Sequence, residues 1–262
     1  MPAIYDKIGR GYDTTRRADA GILQGFVDLL GIQPGRNYVD IACGTGNYTS
    51  RIAEFGGNWF AFDQSQNMLR EAWGKSSKVS WQRFNVERTA YPDGYFHGAM
   101  CSLAIHHFPD LASAFREIAR IMTDDGVLVI FTSSSEQMRH YWLNEYFPGM
   151  MRAACRQMPS LDAVAAAMGE NGLEISAVRP FFVTRDLQDF FLYCGKQRPE
   201  MYLSAAVRQG ISSFRNLCPQ AELKTGLQRL KQDIESGEVK KVIDGFSHPS
   251  GDYCFLAAGK VN

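Results

Sequence analysis

The run Val39-Asp40-Ile41-Ala42-Cys43-Gly44-Thr45-Gly46-Asn47 decides how this chain is read. Asn37 to Ile41 is a short apolar stretch of the kind that forms a strand buried on both faces of a parallel sheet. It runs into a turn of small residues, and a helical stretch from Tyr48 to Phe55 follows until Gly56-Gly57 stops it. Small residues let the backbone approach a ligand closely, and the exposed start of the helix offers N–H groups that suit an anion or a carboxylate. Asp40, at the end of the strand, is placed to orient the loop or to meet an ammonium group.

Outward from this turn the pattern repeats. Strands are expected at Trp59–Phe62, Val79–Phe84, Phe96–Leu103 and Val127–Thr132, with helices at Ser65–Trp73 and Leu111–Met122 and a turn at Asp124-Asp125-Gly126. Strands alternating with helices of this length indicate an α/β fold, a parallel sheet with helices on both faces. Upstream, Ile4 to Leu30 reads as two helical pieces broken near Gly9 and Gly11. After Thr132 the rhythm changes. Ser160–Met168 is helical, Leu173–Val183 forms a sixth strand, and Leu187–Cys194, Pro199–Gln209 and Ala221–Ile234 are expected as helices before a last strand at Asp252–Gly259. Residues 187–248 therefore read as an inserted helical cap over the open end of the sheet, leaving residues 1–186 and 249–262 as the core.

Two features narrow the ligand. The dinucleotide fingerprint needs a third glycine, but Gly44-Thr45-Gly46 is followed by Asn47-Tyr48-Thr49, which argues against NAD or FAD. Asp63 ends the second strand, and a carboxylate there can accept from both hydroxyls of a ribose. Its competing role as a helix cap falls more naturally to Ser65.

Composition removes other classes. Of 262 residues, Lys plus Arg and Asp plus Glu number 28 each, so the formal net charge is zero and no basic stripe stands out for nucleic-acid phosphates. The six cysteines lack the close spacing of a zinc or redox motif, so no metal is expected and free thiols are. No run approaches a membrane span and Met1 to Lys7 is unlike a signal peptide, so a cytoplasmic protein is expected.

The chain resembles the class I S-adenosylmethionine-dependent methyltransferases, in the broad group that includes the ubiquinone and menaquinone methyltransferases. The resemblance rests on Tyr5-Asp6-Lys7-Ile8-Gly9 through Tyr12 and Arg16, on Asp40 to Gly46, and on Asp63 with Ser65, Met68 and Leu69. It continues through Asn85-Val86, Ser102-Leu103-Ala104-Ile105-His106-His107-Phe108, Arg120-Ile121-Met122 and Gly126 to Phe131. These pieces cover roughly residues 4–135 in the family's order. The resemblance implies a Rossmann-like, mostly parallel sheet of seven strands whose last strand is antiparallel, and S-adenosylmethionine as cofactor.

It also implies roles. Gly44 and Gly46, with the backbone at Ala42, cradle the methionine part of the cofactor. Asp63 holds the ribose, Gln64 and Met68 lie beside the adenine, Asn85 and Val86 edge it, and Leu103 lies beneath. Tyr5, Tyr12 and Arg16 belong to a segment that closes over the site, with Arg16 a partner for the cofactor carboxylate. Two positions depart from the pattern. Ala42 stands where the family often has glycine, a change that adds only a methyl group. Asn85 stands where an aspartate commonly accepts from the adenine amino group, and its side-chain oxygen accepts equally.

Methyl transfer from a sulfonium needs alignment and exclusion of water more than side-chain chemistry. A base is required only when the acceptor loses a proton, and His106 or His107, after the fourth strand, is the candidate. The structural alternative is that both only pack. The aromatics of Arg139–Phe147 (Tyr141, Trp142, Tyr146 and Phe147) follow the fifth strand and are candidates for lining a pocket, while Pro148–Met151 is a candidate lid. Phe181, Phe182 and Phe190–Tyr193 read mainly as core. Neutral charge and a cap favour a small-molecule acceptor. The alternatives are an RNA or protein side chain as acceptor, or a cofactor-binding protein without methyl transfer, such as a cyclase or a regulator.

Overall fold

A computed structural model describes residues 12–246 and 249–261. Seven strands, β1 (Asn37–Ile41), β2 (Asn58–Asp63), β3 (Val79–Arg83), β4 (Phe96–Ser102), β5 (Met122–Thr132), β6 (Leu173–Phe181) and β7 (Tyr253–Lys260), form one sheet in the order β3-β2-β1-β4-β5-β7-β6. The pairs among β1 to β5 are parallel, and β7 runs antiparallel to both neighbours. The chain order reverses between β1 and β4, so a crevice opens beyond their carboxyl ends.

Alternation along β1 sets the two faces. Val39 and Ile41 pack with Phe62, Ala99, Leu128 and Ile130 beneath helices α4 (Leu111–Ile121) and α8 (Leu161–Gly169). Tyr38 points the other way, into a cluster with Phe26 of α1 (Ala20–Leu30) and with Trp59, Val129 and Phe131. Helix α1 starts where the Asp19 carboxylate accepts from the Gly21 and Ile22 N–H groups, and stops at left-handed Gly31. Helix α4 is capped by Asp110 and buries Ala114, Phe115, Ile118 and Ile121 on one stripe. Helices α2 (Asn47–Ile52) and α3 (Gln66–Trp73) follow β1 and β2 directly.

Beyond β5 come α5 (Ser135–Arg139), α6 (Leu143–Tyr146) and α7 (Pro148–Gln157); between β6 and β7 lie α9 (Ala205–Gly210), α10 (Ser212–Asn216), α11 (Gln220–Ser236) and α12 (Val239–Gly245). Four expectations change here. Leu187–Cys194 is not a helix: its backbone bonds to the N-terminal segment instead, with Phe190 N–H donating to the Thr15 carbonyl (2.9 Å) and Gln188 N–H to Asp19 (3.1 Å). Those tertiary partners replace the bonds a helix would supply. The expected helix at Pro199–Gln209 breaks at Ser204 into a 3-10 turn and α9. Pro148–Met151 is no lid, since it opens α7 with Met150 and Met151 fully buried. The turn expected at Asp124-Asp125-Gly126 is instead part of β5, where the register to β4 jumps from Phe96↔Met122 to Gly98↔Val127. Among the described residues no helix is long and apolar enough to cross a membrane.

Candidate active site

A cleft of about 1050 Å³, partly open to solvent, lies at the carboxyl ends of β1, β2 and β4. Its floor is the turn after β1. Three of its residues take left-handed backbone: Ala42 (φ 55°), Gly44 (φ 56°) and Gly46 (φ 72°). The Cys43 N–H donates to the Phe62 carbonyl (3.0 Å) and the Gly46 N–H to the Cys43 carbonyl (2.9 Å), which holds the turn against β2. A side chain at Gly44 would meet nothing within 4 Å, so this edge is open to the cleft. At Gly46 an added Cβ would lie 2.4 Å from the Trp81 ring, so Gly46 is needed for packing behind the turn. Ala42 therefore carries a cost other than bulk, because the left-handed region disfavours any side chain. Leu103 pays the same cost at φ 52°, and its N–H donates to the Phe131 carbonyl (2.8 Å).

Asp63 bridges two loops. One oxygen accepts from the Gly44 N–H (2.9 Å) and the other from the Ser65 N–H (2.8 Å), while Ser65 caps α3 through Met68. Asp40 is buried beside it, and the Thr49 hydroxyl donates to it. Burial raises the Asp40 carboxyl, the Thr49 bond opposes that and nearby Asp63 adds to it, so it is pushed up to about 7. Its ionised form therefore meets no cation among the described residues.

Another part of the lining joins two distant segments. Arg16 forms a side-on pair with buried Asp189 through Nε and Nη2, and the Tyr48 hydroxyl donates to Asp189 at 3.1 Å. Beside them Asp13 accepts from Thr45 (2.7 Å) and Asn47 (2.8 Å) and pairs with Lys75 (2.5 Å), tying the N-terminal segment to the turn.

Of the residues singled out from sequence, Arg16, Asp40, Ala42, Gly44, Asp63, Gln64, Met68, Asn85, Val86, Leu103 and His107 all line this one cleft. Gly46 lies behind it. The Asn85 side-chain oxygen already accepts from the Glu87 N–H (3.1 Å). Tyr5 lies outside the described residues, as does the side chain of Tyr12. His106 lines a different cavity from His107, although their rings stand 3.9 Å apart. The aromatics of the 139–147 run do not line the cleft. Tyr141 stacks on Tyr193 at 3.8 Å, the Trp142 indole N–H donates to the Lys196 carbonyl (3.0 Å) and Tyr146 bonds Asp233 (2.8 Å), so they join α5 and α6 to the segment after β6. Asp189, Asn47 and Thr45 were not singled out. Asp189 pairs with a residue 173 positions away, a separation that leaves no local signal. Among the described residues no group of three or more His, Cys, Asp or Glu side chains could hold a metal ion.

Comparison with known proteins agrees with this geometry. A family described as a methyltransferase domain matches residues 39–130, the span from β1 to β5. A demethylmenaquinone methyltransferase of Bacillus licheniformis is 25% identical over 210 residues, covering 68% of this chain and 90% of that protein. A solved structure from Anabaena variabilis, assigned as a methyltransferase of an antibiotic biosynthesis pathway, is 32% identical. It covers 94% of this chain and 99% of its own, with a TM-score of 0.84. A geranyl diphosphate C-methyltransferase of Streptomyces coelicolor, solved with S-adenosyl-L-homocysteine, shares the fold at 15% identity and a TM-score of 0.56. That alignment covers 92% of this chain and 79% of the other.

Proposed function

This chain belongs to the class I S-adenosylmethionine-dependent methyltransferases, and from that premise we propose that its acceptor is a small organic molecule enclosed beneath the segment between β6 and β7. The cofactor supplies a methyl group already activated on a positively charged sulfur. The observation that carries the reading is the part-buried Arg16–Asp189 pair, held by Tyr48, which sets the segment after β6 against the cleft wall. With that segment against it, the cleft has the dimensions of a small-molecule site.

The cleft fits the cofactor by its own chemistry. The open edge at Gly44 lets a ligand approach the backbone, as the methionine part requires. Asp63 is held by two backbone N–H groups, which pre-orient its carboxylate as an acceptor for the ribose hydroxyls. Asp40 is a buried carboxylate with no cation beside it among the described residues, and the cofactor's ammonium would supply one. Met68 and Val86 offer apolar surface to the adenine, and Arg16, its charge met by Asp189, lines the same cleft. In this reading residues 187–248 act as a cap, and the residues around the cleft align the acceptor with the methyl group and exclude water.

Calorimetry with S-adenosylhomocysteine tests the reading. Wild type is expected to bind, and Asp63→Ala to bind about tenfold to a hundredfold more weakly, or about 1.4 to 2.8 kcal/mol. Unchanged affinity in the folded variant would remove Asp63 from the ribose site. An acceptor screen with labelled S-adenosylmethionine then reads whether label moves to small molecules, and transfer only to RNA or protein would overturn the small-molecule proposal.

A further inference from the structure

A second cavity, of about 730 Å³ and open on one side, adjoins the cleft and shares Arg16, Ser102 and Leu103 with it as walls. Its other walls come from α7, from the chain at Phe191–Leu192, from the start of α10 and from Tyr253 of β7. His106 lines this cavity and not the cleft. Its ring is partly exposed, yet its Nδ1 is buried with no partner among the described residues. A buried nitrogen left without a bond is costly, and most such groups in folded proteins are satisfied.

The charge of the cavity is informative. Among the described residues Arg16 is the charged side chain in its lining, and its pair with Asp189 leaves no unmatched charge there for a ligand carboxylate or ammonium. The remaining walls mix hydroxyl and amide groups (Ser212, Ser213, Gln157) with apolar ones (Met138, Met158, Ile211).

We propose that this cavity is the acceptor site, that it takes an uncharged molecule bearing a weakly acidic hydroxyl of the phenol or enol kind, and that His106 receives the hydroxyl proton. The proposal rests on the reading of the adjoining cleft as the cofactor site. In the step, the acceptor oxygen bonds to the methyl carbon and the carbon–sulfur bond breaks, leaving its electron pair on sulfur. The O–H proton passes to a ring nitrogen of His106 and then to water on product release. One positive charge sits on sulfur before the step and on the imidazole after it, so the net charge of the buried site does not change.

Burial, and after it the neighbouring His107 and Arg16, holds His106 down at about 3, so it is neutral and able to accept a proton across the physiological range. An imidazole so lowered is a weak base, but an oxygen acquiring a methyl group becomes a far stronger acid, and the proton leaves as the new bond forms. His107 is also neutral, held at about 4 by burial, but it lines the cofactor cleft.

The test uses para-nitrophenol as probe on the full chain loaded with S-adenosylhomocysteine, at mildly acidic pH. Its absorbance tells bound phenol from bound phenolate. Wild type is expected to bind it as the neutral phenol, at about millimolar Kd or tighter, and to bind para-nitrobenzoate and para-nitrobenzylamine about tenfold more weakly. Two variants are read beside it. His106→Ala removes the partner, and Gln157→Trp, at an exposed position on the cavity's rim, fills the mouth without touching the core. Each should weaken the phenol about tenfold while leaving S-adenosylhomocysteine affinity within about twofold. Absence of saturable phenol binding by wild type, binding as phenolate, preference for a charged probe, or equal binding by both variants would each overturn the proposal. Failure of wild type to bind S-adenosylhomocysteine would instead strike the cofactor reading, so the two failures are distinguishable.

Discussion

The two cavities at the carboxyl end of the sheet are built in different ways. The cofactor cleft draws most of its lining from the loops after β1, β2, β3 and β4, each loop placed by the strand before it. The second cavity draws on residues as far apart as Arg16, Met138, Ile211 and Tyr253. Local backbone geometry makes the first, and long-range packing makes the second. The cofactor side is thus a property of the strand-turn-helix unit, whereas the acceptor side is a property of how the segment between β6 and β7 folds back over it. Arg16 and Asp189 stand where the two meet.

Substitutions can break or sharpen this contrast. Arg16→Ala should have the largest effect, because it strips a wall from both cavities and leaves Asp189, 2% exposed, without its cation. A loss of about 3 to 5 kcal/mol in urea denaturation is expected, with weaker binding on both sides. If only one side weakened, the shared wall would be refuted.

The next effect belongs to the cofactor side and depends on pH. Asp40 keeps a proton up to about 7 in the folded protein, whereas it releases it near 3.8 when unfolded. The folded state thus binds more protons between about pH 4 and 7, and its stability falls as pH rises through that window. Asp40→Asn should flatten this slope and be the more stable protein at neutral pH by about 2 to 4 kcal/mol. Denaturation curves across the window check the sign; a wild type that gains stability relative to Asp40→Asn as pH rises would contradict it.

Gly46→Ala tests the local geometry of the turn. With φ at 72° and Trp81 2.4 Å from the new methyl, it should cost about 2 to 3 kcal/mol and weaken the cofactor at least about tenfold. The second cavity should keep its affinity for para-nitrophenol, and a parallel loss there would show that the two sides are not separable in this way. The smallest effect is a gain. Ala42→Gly relieves left-handed backbone at φ 55°, and thermal denaturation should show about 0.5 to 1 kcal/mol more stability once the added freedom of glycine is deducted.

The same contrast explains what was legible in the residues themselves. Val39 to Asn47 announces strand, turn and helix within nine neighbours, and the structure sets those elements where the pattern puts them. Asp63 is legible for the same reason, since it ends a strand whose partner is parallel and adjacent. Leu187–Cys194 misleads because its apolar residues mimic a helical stripe, while the Phe190 and Gln188 N–H groups are taken by Thr15 and Asp19, far off in the chain. The run Tyr141–Phe147 misleads differently: its aromatics face Tyr193, Lys196 and Asp233, so they bind elements together and leave the cleft to smaller groups.

By itself, then, the sequence determined the α/β core, its glycine turn and the carboxylate opposite it, because periodicity and turn chemistry act between residues a few positions apart. Only the tertiary structure decided that Asp189 pairs with Arg16 at the cleft, that His106 and His107 line different cavities, and that Ala42 is strained. Those outcomes depend on bonds and contacts between segments more than a hundred residues apart, or on a backbone angle that no side-chain pattern records.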